Sequence, residues 1–451
     1  MAEIFAKNAL LPGGWAANVR LTIADDLIGA VERDASPMPA DERHGILIPG
    51  MPNLHSHAFQ RAMAGLAETR GPDADSFWSW RDVMYRFALA MTPEQVQAVA
   101  AQLYVEMLEA GFTRVGEFHY LHHDRDGQPY ANPAEMAERI AAASYEAGIA
   151  LTLLPVFYAH SGFGGALPTD GQRRFINDVN RFTKLMEKSR EVVQGLRQAV
   201  IGVAPHSLRA ATPDELASVV PLAGNGPIHI HVAEQTREVD DCLAWSGARP
   251  VEWLLANQAV DERWCLIHAT HMTPAETSGM AATGAVAGLC PITEANLGDG
   301  AFPGAPFTQH GGRFGIGSDS NVLIGVADEL RQLEYSQRIL HRARNVLAAP
   351  GQSNGYALFT RALAGGNQAL GAQAGGLATG QSADLVSLDA GHASLSGKRD
   401  DEIFDGWIFA RATAVDCVWV GGRKLVTVGR HANRDRIAAR FARVMSDLAG
   451  A

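Results

Sequence analysis

The sequence predicts an α/β protein: a (β/α)8 TIM barrel with a small composite β-sandwich domain built from both chain ends. Three observations lead there. From residue 46 onward, apolar β-type runs alternate with helical patterns. Both ends of the chain are instead strand-like and rich in turns. Histidines and acids gather where the predicted strands stop, as they do on the catalytic rim of a barrel.

The runs fall at 46–51, 112–118, 149–157, 199–204, 227–233, 265–269, 285–291 and 313–317. Between them the helix starts are well marked. Thr92-Pro93-Glu94-Gln95 supplies a cap, a first-turn proline and a capping-box partner, and Gly111 ends the period. Asn132-Pro133-Ala134-Glu135 through Gly148 repeats the arrangement, and Thr212-Pro213 and Thr273-Pro274 open two more. The stretch 330–347 reads as an amphipathic barrel helix, its exposed part free to join an oligomer contact. Gly365, Gly366, Gly371, Gly375, Gly376 and Gly380 suggest a looser junction after the barrel. Residues 1–45 and 376–430 are expected to pair as one β-domain, 46–375 to form the barrel, and 431–451 to pack outside as a helix.

Composition narrows the function. Of 451 residues 47% are hydrophobic and 19% charged, which excludes wholesale disorder. The net charge of −11 argues against nucleic acid or an anionic membrane as partner. Cys242, Cys265, Cys290 and Cys417 form no close pair, so neither a disulfide framework nor a thiolate metal site is expected. The N-terminus lacks a signal-peptide apolar core, and no run approaches the ~18 apolar residues of a membrane span. A soluble, cytoplasmic protein is expected.

His55 and His57 are the sharpest local signal. Two histidines one residue apart on extended chain project to the same side, so both can reach one metal. Joined to His231 on the fifth run and Asp319 after the eighth, they make three nitrogen donors and one oxygen, a set that suits a divalent ion such as zinc, with iron or manganese as alternatives. His229 sits two residues earlier and is expected deeper in the barrel. The five lysines (Lys7, Lys184, Lys188, Lys398, Lys424) all lie away from predicted strand ends, so no bridging lysine is available and one ion is expected. Glu234 follows His231 by three residues and is placed to shuttle protons between water and a leaving nitrogen. His268 is expected to polarise substrate or hold the attacking water. Asp319 has a second role available, helping to deprotonate that water.

The chain resembles the amidohydrolase superfamily, in its mononuclear deaminase branch. The matching segments are PGMPNLHSHAFQR, HIHVAEQ, LIHATHM and FGIGSDSN, with the return GLATGQSADLVSLD near the end. The resemblance implies metal ligation by His55, His57, His231 and Asp319, and catalysis by Glu234 and His268. A finer resemblance, carried by HAFQRAMAG, WSWRDVMYRF, GEFHYLHH, GVAPHSLRA and CPITEANLGDG, is to the iminohydrolases of histidine degradation. The last of these segments departs from the Asn-rich, Lys-containing pattern of nucleobase deaminases.

The implied reaction is deimination of N-formimino-L-glutamate to N-formyl-L-glutamate and ammonia. Such a dicarboxylate needs fixed cations, and arginine binds carboxylate through two parallel bonds. Arg209 after the fourth run and Arg81 in the aromatic segment after the first are the candidates, with Arg61 and Arg86 as alternatives. Gln60, Tyr120 and His206 are expected to add hydrogen bonds to substrate. Two other readings compete: a deaminase of a purine, pyrimidine or guanidino compound on the same metal centre, and a non-catalytic binding protein. The second predicts a missing ligand or acid, and none is missing. Family habit suggests a homodimer.

Overall fold

The computed structural model describes residues 2–71, 77–372, 375–410 and 414–449. Near the N-terminus, β1 (Ala2–Leu11), β2 (Gly14–Ala24), β3 (Leu27–Glu32) and β4 (Glu42–Pro49) share one sheet with strands from the other end of the chain. The barrel follows with β5 (Met51–Ser56), β6 (Phe112–His119), β7 (Ala150–Phe157), β8 (Val200–Ile201), β9 (Ala204–Pro205) and β10 (Ile228–Val232). It continues through β11 (Trp264–His268), β12 (Val286–Leu289) and β13 (Arg313–Ile316). The chain then returns to the first sheet as β14 (Leu385–Leu388), β15 (Val415–Val420), β16 (Arg423–Thr427) and β17 (Arg430–His431).

All barrel pairings are parallel. They form two arcs, β5 to β9 and β10 to β13. Isolated parallel bridges at Val203–Ile228, Ser207–His231 and Ser56–Asp319 join the arcs into a ring. Every residue of β6 and β7 is buried, as expected for strands covered on both faces. The end sheet runs β17-β16-β15-β14-β4-β1-β2-β3, with β14 antiparallel to β4 and β4 parallel to β1. The two chain ends therefore hold each other.

Three of the four expected helix starts carry the capping box: Thr92, Thr212 and Thr273 each accept from the third backbone N–H beyond. The start near residue 132 differs. Its helix begins at Glu135, and the Asn132 side chain instead accepts from the N–H of Ala134 in a turn. The stretch expected at 330–347 is the helix Val326–His341. The last helix, Arg434–Ala449, packs on the helix Pro93–Glu109, with Arg434 paired to Glu109 and Arg440 to Glu146.

Two expectations about strands and glycines are corrected. The run at 46–51 is not the first barrel strand: it splits at Gly50, with 46–49 finishing β4 and Met51 opening β5. A Cβ at Gly50 would strike the Thr113 side chain, so the switch between sheets needs glycine there. His55 consequently lies inside a barrel strand rather than after it. The glycines at 365 and 366 are no loose junction. Both sit in the helix Asn354–Ala369, where a Cβ on Gly365 would strike the Phe314 carbonyl and one on Gly366 the Pro52 ring. They let this helix lie directly against β13 and β5.

Gly365→Ala should therefore destabilise the protein by about 1–3 kcal/mol, the usual cost of overpacking, read as a lower Tm in thermal unfolding. Gly195→Ala, where the nearest atom to the added Cβ is 3.9 Å away, should change stability by less than about 0.5 kcal/mol.

Candidate active site

His55 is the fifth residue of β5 and His57 follows its last, so both rings reach the same side. Ring nitrogens of His55, His57 and His231 and a carboxylate oxygen of Asp319 lie within 4.8 Å of one another, all in buried residues. Asp319 Oδ1 is 3.2 Å from His57 Nε2 and 3.5 Å from His55 Nε2. His231 Nε2 is 3.1 Å from His55 Nε2.

The outer ring nitrogens explain this orientation. His57 Nδ1 pairs with the Phe118 carbonyl and His231 Nδ1 with the His206 carbonyl, each at 3.0 Å. A carbonyl only accepts, so both rings carry a proton on the outside and turn a bare Nε2 inward. Burial drives His55 down to about 3 and His231 well below its ordinary value, keeping both rings neutral. Burial pushes Asp319 up, but hydrogen bonds and charge interaction with His55 and His57 override it and hold the carboxyl well below the usual range, which needs positive charge among these atoms. Bare imidazole nitrogens and an ionised carboxylate repel one another unless a cation lies among them. Three nitrogens and one oxygen are a zinc donor set. The residues fit one divalent ion.

His268 and Glu234 complete the rim. His268 Nε2 is 3.8 Å from Asp319 Oδ2 and 3.9 Å from Glu234 Oε1. Burial opposes charge on His268, yet the facing carboxylates of Glu234, Glu294 and Asp319 raise its pKa. Burial raises Glu234, partly offset by His268 and Arg209. A buried carboxyl lifted toward neutrality is poised to take and return a proton. Local backbone aims these groups: Ala233, His268 and Asp319 have φ of 51°, 66° and 46°, a region non-glycine residues occupy only when held there.

Beyond them opens a pocket of about 580 Å³ whose lining includes Gln60, Arg81, Tyr120, His206 and Arg209. Arg209 Nη2 is 3.9 Å from Glu234 Oε2, and the Arg81 guanidinium lies 4.4 Å above the Trp78 ring. Among the described residues the Nε of both arginines is buried without a hydrogen-bond partner. Gln60 donates to Tyr120 Oη at 2.8 Å, and its own Oε1 is likewise unpaired. Two guanidiniums, each with a buried and unpaired Nε, can receive carboxylates.

All eleven candidate site residues expected from sequence thus come together at one rim. Other candidates do not. Arg61 is tied to Glu106 at 2.8 Å and to the Asn321 carbonyl, and serves as a strut. Arg86 lies on the helix Phe77–Ala90 and borders a separate surface hollow. His160 pairs with Glu215 at 3.0 Å, and His229 faces the Ala369 carbonyl deep in the barrel, as expected for it. Sequence reasoning missed Tyr158, Phe175 and Tyr85 in the pocket wall. Tyr158 directly follows β7, so the strand-end rule applied to aromatics would have found it. Glu294, 3.3 Å from His268 Nδ1, was also missed as a contact.

Comparison with known proteins agrees with this geometry. Residues 46–425 match the amidohydrolase family model, and residues 1–45 match the N-terminal domain of formimidoylglutamate deiminase HutF. The formimidoylglutamate deiminase of Pseudomonas aeruginosa is 52% identical, over 99% of this chain and 100% of that one. The crystal structure of an amidohydrolase from Brucella melitensis superposes over 100% of both chains with a TM-score of 0.97 at 62% identity. An adenosine deaminase from Xanthomonas campestris, with bound zinc, shares the fold at TM-score 0.83 and 20% identity, over 100% of this chain and 99% of that one. The chain belongs to the amidohydrolase family.

Proposed function

We propose that this pocket hydrolyses N-formimino-L-glutamate to N-formyl-L-glutamate and ammonia, a step of histidine degradation. One observation carries the reading: two half-buried arginines, each with a buried and unpaired Nε, stand beside a His3Asp cluster. The substrate has two carboxylates and one hydrolysable formimino carbon, which matches that division of the pocket. The full-length likeness to the Pseudomonas aeruginosa formimidoylglutamate deiminase supports the same substrate.

His55, His57, His231 and Asp319 hold one divalent ion, zinc by its donor set, which when bound supplies Lewis acidity and makes water ionise near neutral pH. Arg209 and Arg81 bind the two carboxylates, and Gln60, Tyr120 and His206 orient the chain between them. Glu234 takes the first proton from water as its oxygen bonds to the formimino carbon, and delivers it to the imino nitrogen. His268 Nε2 stabilises the oxygen of the tetrahedral adduct. The remaining hydroxyl proton then passes through Glu234, assisted by Asp319, to the same nitrogen. The C–N bond breaks, ammonia leaves, and the formyl carbonyl remains. On this reading the enzyme is cytoplasmic, and homodimeric with one ion per chain.

Ammonia release from N-formimino-L-glutamate by the zinc-loaded protein, with guanine and a guanidino acid run alongside, is the direct test. Turnover of the formimino compound alone is expected, lost after dialysis against a chelator and restored by about one equivalent of zinc. Turnover of guanine alone would overturn the substrate. Glu234→Gln should keep its metal, by elemental analysis, while kcat falls by about 100-fold or more. Arg209→Ala and Arg81→Ala should each raise KM by about 10- to 100-fold with a smaller change in kcat. An analogue lacking the side-chain carboxylate should be insensitive to one of the two substitutions, which identifies the arginine serving that end.

A further inference from the structure

The segment CPITEANLGDG carries an acid, Glu294, that the proposed reaction does not use. Glu294 lies in the short helix Pro291–Leu297 that follows β12 and is buried. Its Oε1 accepts from the backbone N–H of Cys290 at 2.9 Å and stands 3.3 Å from His268 Nδ1. The residue before it serves the neighbouring loop. Thr293 Oγ1 is 2.9 Å from Ser320 Oγ, accepts from the Ser320 N–H and donates to the Ser318 carbonyl, both at 3.3 Å. One helical turn therefore touches both His268 and the two residues that flank Asp319.

His268 and Asp319 both need such support. Each holds left-handed backbone, with φ of 66° and 46° respectively. Such conformations persist at functional sites only where the surroundings over-determine them. His268 is 1% exposed, so water cannot replace a lost partner at Nδ1. A half-turn of the ring would put Cδ2 where Nδ1 stands and Cε1 where Nε2 stands, taking Nε2 away from Glu234 and Asp319. An acceptor fixed at Nδ1 prevents it.

We propose that Glu294 is a positioning residue: it accepts the Nδ1 proton of His268 and so keeps Nε2 turned toward Glu234 and Asp319. The inference rests on the reaction proposed above for what Nε2 does, and on the hydrogen bond alone for how it is held. Glu294 touches none of the groups taken to bind metal or substrate directly, so its effect runs through His268.

The test compares Glu294→Gln and Glu294→Ala in the full-length, zinc-loaded protein. The glutamine keeps an oxygen acceptor and should hold kcat within about fivefold. The alanine should lower kcat by about 10- to 100-fold while KM moves less than about threefold, as for a loss felt only in the transition state. Nitrogen-15 spectra of histidine in the substrate-free protein give an independent readout, with His268 assigned by its disappearance in His268→Asn. The Nδ1 proton signal should be present in the parent and in Glu294→Gln, and absent in Glu294→Ala. Adding Glu294→Ala to His268→Asn should cost less than about threefold more. Should Glu294→Ala fail to fold, Glu294→Met removes the acceptor at similar volume and is judged by the same criteria. Parent-like kcat and an intact Nδ1 signal in the alanine or methionine variant would overturn the proposal, as would a full additional loss in the double variant. If the parent releases no ammonia from N-formimino-L-glutamate, the substrate reading falls, while the Nδ1 signal still decides Glu294.

Discussion

The site depends on one electrostatic constraint. The inward Nε2 atoms of His57 and His231 are bare because backbone carbonyls hold the protons of both rings on the outside. Both converge on an ionised Asp319, all in buried residues. Such a cluster is unfavourable by itself and favourable around a divalent cation. The carbonyls of Phe118 and His206 are thus as much a part of the centre as the imidazoles. Each belongs to a barrel strand or its immediate continuation, so the ring of parallel pairings fixes the protonation pattern as well as the positions.

Convergence at one rim is obtained with local strain. Ala233, His268, Ala269, Asp319 and Asn321 all have positive φ, and all stand where β10, β11 and β13 end. A regular strand would alternate its side chains up and down; a left-handed residue at its end turns the next group into the pocket. The cost is of order 1–3 kcal/mol per residue and must be offset by contacts around it. The Asn321 side chain shows how: it donates to the His57 carbonyl at 3.0 Å and accepts from Ser318 Oγ at 2.6 Å. Strands β5 and β13 are thereby locked at the place where their ligand-type side chains meet.

The outer half of the pocket works by a different balance. Arg81 and Arg209 carry like charge, and both are drawn to one indole, with guanidinium carbons 4.4 and 6.0 Å from the Trp78 ring. An aromatic face offsets part of the repulsion without consuming the hydrogen bonds that a carboxylate needs. Glu234 lies near Arg209 but at 3.9 Å, too far to saturate it. The helix Phe77–Ala90 brings in Trp78 and Arg81 together, one from each of two adjacent turns.

The barrel, the sheet from both chain ends and the eleven candidate residues gathered at the rim were legible in the sequence. Strand-to-helix alternation, Thr-Pro starts and the spacing of His55, His57, His231 and Asp319 are local patterns, and local patterns survive being read one segment at a time. Other features were not legible, and each turns on a contact between distant segments. The apolar run at 46–51 gives no sign that Gly50 divides it between two sheets, because the division is imposed by Thr113 across β6. Gly365 and Gly366 read as flexibility until Phe314 and Pro52 are seen against them. Nothing in the sequence marks Glu294 until His268, 26 residues earlier, is found against it. The sequence by itself determined which chemistry is present and at which strand ends it stands. Only the tertiary structure decided which nitrogen faces inward, which arginine keeps its donors free and which acid lies against the His268 ring. Those depend on hydrogen bonds and steric limits between parts of the chain that no spacing rule connects.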